Sequence, residues 1–475
     1  MVHSAGLGLA AGTPAPPGGG RRRWLPRAGA GLLAVGLAAG LVLGGAALLT
    51  PSTSDSAQGT VASGQSGVAG GGAGRPDGPA AGSSGELSTA IGRAQRQLER
   101  LPGDWPTWAG LGMAYVQQAR LTADPSYYSR ADGALRRSLA VRPDGNALAL
   151  VGLGALAAAR HDFPAALRYG EQAAALDPFS AAAQGVTADA LIELGRYDAA
   201  WVAVQQMVDL RPDTGSLARA SYAAELRGDV TGARELLTEA LEYAPSAADA
   251  GYALYYLGEL AWNSGDLAGA ADRYAEGLRR APSYLPLLAG RAKVAAARGR
   301  LDSAVADYRT VVGRLPLPSY LTEYGDLLAA RGDRAGAEQQ YAVVRTAARL
   351  QAAAGVDVDL EQALFDADHG APAAALRAAR AEYAVRRSVV AEDTLAWALH
   401  VNGRSAEALP HAKAALRLGT RSALFRYHLG MISAAVGDGA GARRELATAL
   451  RLNPHFSPLH APRTRAELTR LGGAP

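Results

Sequence analysis

The sequence predicts an all-α, right-handed superhelical solenoid of about ten helix–turn–helix units, preceded by one N-terminal transmembrane helix. Three observations carry this reading. A glycine recurs at Gly195, Gly228, Gly265, Gly299, Gly332, Gly370, Gly403 and Gly437, at intervals of 33, 37, 34, 33, 38, 33 and 34 residues. A small alanine and a proline also recur twelve residues apart along the array: Ala166 and Pro178, Ala200 and Pro212, Ala233 and Pro245, Ala270 and Pro282, Ala304 and Pro316, Ala442 and Pro454. A fixed period of this length marks a stack of identical supersecondary units, each too small to bury its own apolar face alone. The third observation is an uncharged stretch from Ala28 to Leu49 directly after Arg21, Arg22, Arg23 and Arg27.

Taken from the N-terminus, residues 1–27 read as a disordered basic segment, Gly/Pro/Ala-rich up to the arginines. The span 28–49 exceeds the roughly 20 residues an α-helix needs to cross the hydrocarbon core. A secretory signal is the alternative, with Gly45 and Ala47 offering a small-residue cleavage site. Four arginines before the span and only Arg75 soon after it put the N-terminus in the cytoplasm and the repeats outside. The expected location is thus the cell membrane as a single-pass protein, or the exterior after signal cleavage. Gly36, Gly40 and Gly44 share one face of the span and could form a helix-dimer seam. Residues 50–85 are Ser/Gly/Ala-rich and read as a flexible tether with a reach of roughly 30–35 Å. Residues 86–104 follow as a capping helix, with Leu87, Ile91 and Leu98 on one face.

The repeats occupy 105–454 and a C-terminal capping segment 455–475. Each recurring residue has a physical task. The turn glycines suit the left-handed conformation that ends a helix. Asp198, Thr231 and Asp302 follow them closely enough to cap the second helix. The prolines stop that helix because they cannot continue its hydrogen-bond ladder. Gly112, Gly154, Gly258, Gly325 and Gly430 fall within predicted first helices, where glycine costs about 1 kcal/mol relative to alanine. That cost implies a partner helix packed too closely for a side chain, and Ala166, Ala200, Ala233, Ala270, Ala304, Ala337, Ala375, Ala408 and Ala442 supply its surface. Tyr274, Tyr308 and Tyr341 follow their alanines by one helical turn. The first unit carries an insertion near Leu121–Tyr128, and Glu338–Ala354 reads as a longer helix because no proline ends it.

The run Trp108-Ala-Gly-Leu111-Gly112-Met-Ala-Tyr115 fits the opening W-x2-L-G-x2-Y, and the alanines and prolines complete the pattern. In these positions the chain resembles the tetratricopeptide repeat over roughly three quarters of its length. The resemblance implies a platform for binding and not a chemistry. It further implies that the first helix of each unit lines a concave groove for an extended peptide or a partner's helix. In that register Tyr222, Tyr252, Tyr255, Glu259, Trp262, Asn263 and Lys293 form one candidate group, and Trp397, His400, Tyr427 and Met431 a second. Interface anchors are enriched in tryptophan and tyrosine. The expected function is a non-enzymatic, membrane-tethered scaffold for a protein or peptide partner. The Lys-x3-Asn pair with which some repeats of this kind grip an acidic C-terminus is absent: the matching sites hold Ala109 and Met113, Val151 and Ala155, and Gly185 and Asp189.

Composition narrows the remaining classes. Cysteine is absent, which excludes disulfides, thiolate metal sites and cysteine nucleophiles. Arginine outnumbers lysine 46 to 2, a GC-rich coding bias of actinobacterial type. Three of the four formal positive charges belong to residues 1–85, so the array is nearly neutral and lacks the basic stripe that nucleic acid requires. No HExxH, GxSxG or phosphate-loop signature occurs, and no catalytic residue, cofactor or metal is expected. Five histidines, His400, His411, His428, His455 and His460, gather near the C-terminus. They support one alternative, an accessory subunit of an envelope or metal-transport system.

Overall fold

The computed structural model describes residues 84–356 and 360–473. These residues form twenty-two α-helices and, among the described residues, no strand. The helix α1 (Ser84–Arg100) packs on α2 (Trp105–Thr122) at one end, and α22 (His460–Arg470) packs on α21 (Gly439–Leu452) at the other. The twenty helices from α2 to α21 pair consecutively into ten antiparallel hairpins. Their first helices are α2, α4 (Ala147–Ala159), α6 (Ala181–Glu193), α8 (Thr214–Leu226), α10 (Ala247–Asn263), α12 (Leu285–Ala297), α14 (Pro318–Ala330), α16 (Leu360–Asp368), α18 (Val389–Val401) and α20 (Ala423–Ala435). The partners are α3 (Ser126–Val141), α5 (Phe163–Leu176), α7 (Tyr197–Leu210), α9 (Val230–Glu242), α11 (Leu267–Arg280), α13 (Leu301–Arg314), α15 (Arg334–Ala353), α17 (Pro372–Val385), α19 (Ser405–Ala414) and α21.

The two kinds of helix differ in composition because they differ in surroundings. First helices are sandwiched between neighbours and are apolar nearly all round, as in α4, where eight of thirteen residues are buried. Second helices form the outer layer and are amphipathic: α11 buries only Ala270, Tyr274 and Gly277 and gives its charges to solvent. All eight turn glycines have positive φ, between 74° and 91°. The helix that follows is capped one residue later than the glycine, by Asp229, Asp266, Asp333 and Asp438, each accepting from the backbone N–H three positions on. This moves the cap two residues upstream of Thr231, and it places Asp198 and Asp302 inside the first turn, where they complement the helix dipole. The helix α15 runs for 20 residues, as the missing proline implied.

Close approach explains the glycines within helices, although the neighbour is not the expected alanine. A Cβ on Gly112 would overlap Leu135, one on Gly258 the ring of Tyr274, one on Gly325 that of Tyr341, and one on Gly430 the side chain of Leu446. Each of these neighbours lies one helical turn beyond an alanine that is fully or almost fully buried: Ala131, Ala270, Ala337 and Ala442. The alanine brings the helices together, and the larger side chain fills the notch over the glycine.

The solenoid also touches itself. Arg387 donates its N–H to the carbonyl of Leu194, and the N–H of Val389 is accepted by the Tyr197 hydroxyl at 2.8 Å. One hairpin on, the Thr420 hydroxyl donates to the carbonyl of Leu226 at 2.9 Å. One hairpin further, Asn453 donates to the carbonyl of Trp262 at 2.9 Å. Three successive turns after first helices thus dock on three successive connections between hairpins, about 190 residues later each time. An array in which every unit meets only its sequence neighbours is the ordinary expectation for stacked repeats; here a second coil is laid against the first.

The single-pass membrane placement is corrected. Among the described residues no helix is long and apolar enough to cross a membrane. The segment Ala28–Leu49 on which that placement rested, and with it the proposed seam of Gly36, Gly40 and Gly44, lies outside the described residues.

Candidate functional site

The helix α10 is the centre of the inner wall. It is 17 residues long where α8, α12 and α14 have 13, and its start is fixed by Ser246, whose hydroxyl accepts from the Asp249 N–H. Tyr252, Tyr255, Tyr256, Glu259, Trp262 and Asn263 recur along it at three- and four-residue spacing, which makes a single stripe. The opposite side carries Gly251, Leu254, Leu257, Gly258 and Ala261, all buried against adjoining helices. The stripe faces a chamber of about 1300 Å³ bounded by α8, α10, α12 and α14, by the end of α2, and by the C-terminal segment Asn453–Arg465.

Tyrosines dominate the wall. The rings of Tyr252 and Tyr256 meet at 4.8 Å and 63°, those of Tyr255 and Tyr256 at 5.1 Å and 72°, and those of Tyr255 and Tyr284 at 6.5 Å and 69°. Such near-perpendicular pairs present faces and edges by turns to whatever lies between them. Burial pushes the Tyr252 phenol up to about 12 and raises those of Tyr255, Tyr256 and Tyr320 well above the ordinary tyrosine value, so all four stay neutral donors.

Charged groups form an ordered line behind the rings. The Lys293 ammonium sits 2.7 and 2.6 Å from the two oxygens of Glu259, which also accepts the Tyr274 hydroxyl at 2.6 Å. Burial works against that ammonium, but Glu259 and Glu323 together outweigh it and hold its pKa above the usual lysine value. Glu323 accepts from the Tyr308 hydroxyl at 3.0 Å, and Asp326 accepts from Tyr341 at 2.8 Å. Burial, and secondarily the neighbouring charge of Glu259, push the Glu225 carboxyl up to about 8, with Asn263 opposing through a hydrogen bond. Arg120 of α2 lies near Tyr128, Tyr256, Tyr252 and Tyr284. The chamber is thus lined by groups of both signs, with Arg280, Arg314, Arg331 and Arg465 also on its boundary.

The first group from the sequence, Tyr222, Tyr252, Tyr255, Glu259, Trp262, Asn263 and Lys293, is brought together on this chamber. Tyr252 and Trp262 are buried and belong to the inter-helix core as much as to the wall. Trp397, His400, Tyr427 and Met431 are not brought to it. Trp397 is buried, donates to Asp368 at 2.9 Å and stacks on His428 at 4.2 Å, while Tyr427 is buried against His460 at 4.8 Å. His400 stacks on Trp397 and bonds Ser405 at 3.0 Å, and Met431 packs against the same core. The helix α22 seals the face that the preceding repeats leave open.

Sequence reasoning missed Glu225, Tyr256, Tyr284, Tyr320, Glu323 and Arg120. Glu323 could have been found, since it precedes Asp326 by one turn on a first helix just as Tyr256 precedes Glu259. Tyr284 stands in a connection and Arg120 at the extended end of α2, so helical register does not point to either. The C-terminal histidines do not converge on a common centre. His428 pairs with Asp393 at 2.9 Å, His460 with Asp368 at 3.2 Å and His411 with Glu392 at 2.7 Å. Among the described residues no cluster of three or more His, Cys, Asp or Glu is arranged to hold a metal ion.

Residues 145–213 and 217–284 match the family model of the tetratricopeptide repeat, and these stretches, from α4 to the end of the α11–α12 connection, are tetratricopeptide repeats. No curated protein matches the chain in sequence. Among solved structures it is similar to a tetratricopeptide repeat protein of Parabacteroides merdae, with 19% identity over 55% of this chain and 99% of that one and a TM-score of 0.31. It is similar also to a tetratricopeptide repeat protein of Thermus thermophilus, with 22% identity over 36% of this chain and 91% of that one and a TM-score of 0.33. The human IFIT1 dimer is similar at 15% identity over 70% of this chain and 77% of that one, with a TM-score of 0.44.

Proposed function

We propose that this tetratricopeptide-repeat array is a non-enzymatic scaffold for protein–protein interaction and that its chamber receives a peptide segment of the partner. The observation that carries the reading is the convergence of Tyr222, Tyr255, Glu259, Asn263 and Lys293, from three successive hairpins, on one cavity of about 1300 Å³. That volume exceeds the roughly 300–1,000 Å³ of a typical small-molecule site, and it suits a stretch of polypeptide. Tyrosine rings give such a segment large rigid contact area at little cost in conformational freedom. Hydroxyls and carboxylates between the rings fix its direction through hydrogen bonds.

A photo-crosslinking residue in place of Tyr256 tests the proposal. The expected outcome is a covalent adduct with a partner polypeptide, lost when Tyr255→Ala is added. The same crosslinker in place of Phe179, which is 82% exposed and remote from the chamber, should give no such adduct. An adduct at Phe179 that survives Tyr255→Ala, with none at Tyr256, would move the interaction to the outer surface.

A further inference from the structure

The two coils meet in three rows, and the rows are built differently. In the first two the coils share one apolar core. Leu191, Tyr197 and Leu226 of the first coil pack in the same buried cluster as Val389, Ala415 and Phe425 of the second. The first row is reinforced by the buried pair of Arg386 and Glu193, and by Arg417, which donates to the Arg387 carbonyl at 2.6 Å and lies 5.5 Å from the ring centroid of Tyr197. The backbones come close there: a Cβ on Gly195 would fall 2.5 Å from the carbonyl oxygen of Arg387. The third row lacks such a core. Among the described residues, the buried cluster around Trp262 includes no residue of the second coil, and the cluster around Trp397 includes none of the first. Between them stand the hydrogen bond from Asn453 to the Trp262 carbonyl and the close approach of the Leu452 carbonyl to Gly265. This least buried row borders the chamber, one side of which is the segment Asn453–Arg465.

We propose that the third row is a gate: the segment Asn453–Arg465 leaves the first coil and returns to it, pivoting on the first two rows, and this motion admits the chamber's occupant. Local opening follows the parts of a fold with the fewest buried apolar contacts. A row held by hydrogen bonding without a shared core parts more readily than one whose separation would expose Phe425 and Val389 to water. The segment moves as one piece with the second coil. His460 bonds Asp368 at 3.2 Å, Arg465 donates to the Pro454 carbonyl at 2.6 Å, and the ring of Phe456 lies 5.8 Å from that of Tyr427. Trp262 stays with α10, so opening gives up its bond from Asn453 and leaves the wall from α8 to α14 in place. The gate depends on the contact between the coils and not on what the chamber holds, so its test is separate from that of peptide docking.

Because the chain has no cysteine, an introduced thiol is the only one to react. Ser319 lines the chamber, and Ser319→Cys places a thiol there in the full chain. Its reaction is followed with two methanethiosulfonates, one carrying a methyl group and the other a fluorescein. The fluorescein reagent should react at least about tenfold more slowly than the methyl reagent, because it waits for the gate to open. Asn453→Asp keeps the oxygen that accepts the His455 N–H but removes the donor to Trp262. It should speed the fluorescein reagent about five- to tenfold, the worth of one hydrogen bond, and leave the methyl reagent unchanged. Thr420→Val removes an inter-coil hydrogen bond from a row with the shared core and should change neither rate. A second measurement leaves the gate residues native. Spin labels on Ala268→Cys and Arg451→Cys, exposed sites on either side of the gate, should give a distance distribution with a second, longer component. Labels on Ala199→Cys and Ala384→Cys, exposed sites across the pivot, should give one narrow peak. The label pairs decide the matter even if Asn453→Asp fails to fold. Equal rates for the two reagents, equal acceleration by Thr420→Val and Asn453→Asp, or a single narrow peak between positions 268 and 451 would each overturn the gate.

Discussion

Arg386 reaches Glu193 across 193 positions of sequence, with its Nη1 2.8 Å from the Glu193 Oε2, and its Nε lies 2.6 Å from Glu382 in the last turn of the preceding helix α17. The guanidinium also lies 4.8 Å from the ring centroid of Phe163. All three ionic side chains are nearly withdrawn from water, with the arginine only 4% exposed. A planar fork that bonds two carboxylates and covers an aromatic face cannot be replaced by a lysine ammonium without losing one of these contacts.

Arg386→Ala should therefore lower stability by about 3–5 kcal/mol, because it leaves Glu193 and Glu382 facing each other without this cation. Denaturation in urea measures the loss. A midpoint close to that of the native chain would mean that the contact between the coils carries little energy.

Gly258→Ala sets two effects against each other. Alanine gains about 1 kcal/mol of helix propensity, but its Cβ would overlap the ring of Tyr274, which is fully buried and bonded through its hydroxyl to Glu259. Overpacking of this kind costs about 1–3 kcal/mol. The ring cannot swing aside without giving up that hydrogen bond, so the variant should be less stable by melting temperature. Gly299→Ala has open space around it and should lose about 1–2 kcal/mol for a different reason, its φ of 74°.

Stability should also depend on the protonation of Glu225, whose folded pKa of about 8 stands above its ordinary 4.5. Below 4.5 the carboxyl is protonated in both states and has no effect; as pH rises towards 8 the unfolded chain ionises first, and the folded state loses ground. Asp189, raised by burial to about 6 in spite of Arg219, acts with the same sign over the lower part of that interval. Melting temperatures across pH 6 to 8 should thus fall less steeply in Glu225→Gln than in the native chain. Parallel profiles would contradict the placement of this carboxyl.

Trp262→Ala should destabilise the fold by about 3–5 kcal/mol, because the side chain is 8% exposed and packed among Leu257, Ala261 and their neighbours. Tyr255→Ala removes a ring that remains partly open to the chamber and should cost less in the same urea titration. A reversal of that order would place Tyr255 in the core and Trp262 on the free wall.

How much could be read from the chain alone depended on the distance over which each feature is determined. The turn glycines and helix ends are local, and Gly195 through Gly437 take the left-handed conformation that their spacing implied. The caps were misplaced by two residues at Thr231 because the aspartate directly after the glycine already serves. The inner-face register is periodic, and it gathered Tyr222, Tyr255, Glu259 and Lys293. The same register applied to Trp397 and Tyr427 leads into a sealed region, since what covers a face is decided by a neighbour such as His460 and not by the helix itself. The pairing of Asn453 with Trp262 left no trace in composition or period, because neither residue's own repeat requires it.

That pairing carries a consequence for how such a chain can change. An open stack of hairpins can gain or lose a unit, and the remainder simply ends sooner or later. Here Leu194, Leu226 and Trp262 each meet a particular partner in Arg387, Thr420 and Asn453. Removing one hairpin from between them would offer Leu194 to the connection at Thr420, and the buried Glu193 would face a residue other than Arg386. The second coil thus counts the units of the first, and the array has an inherited length that duplication or deletion of a repeat cannot alter without unlocking the fold.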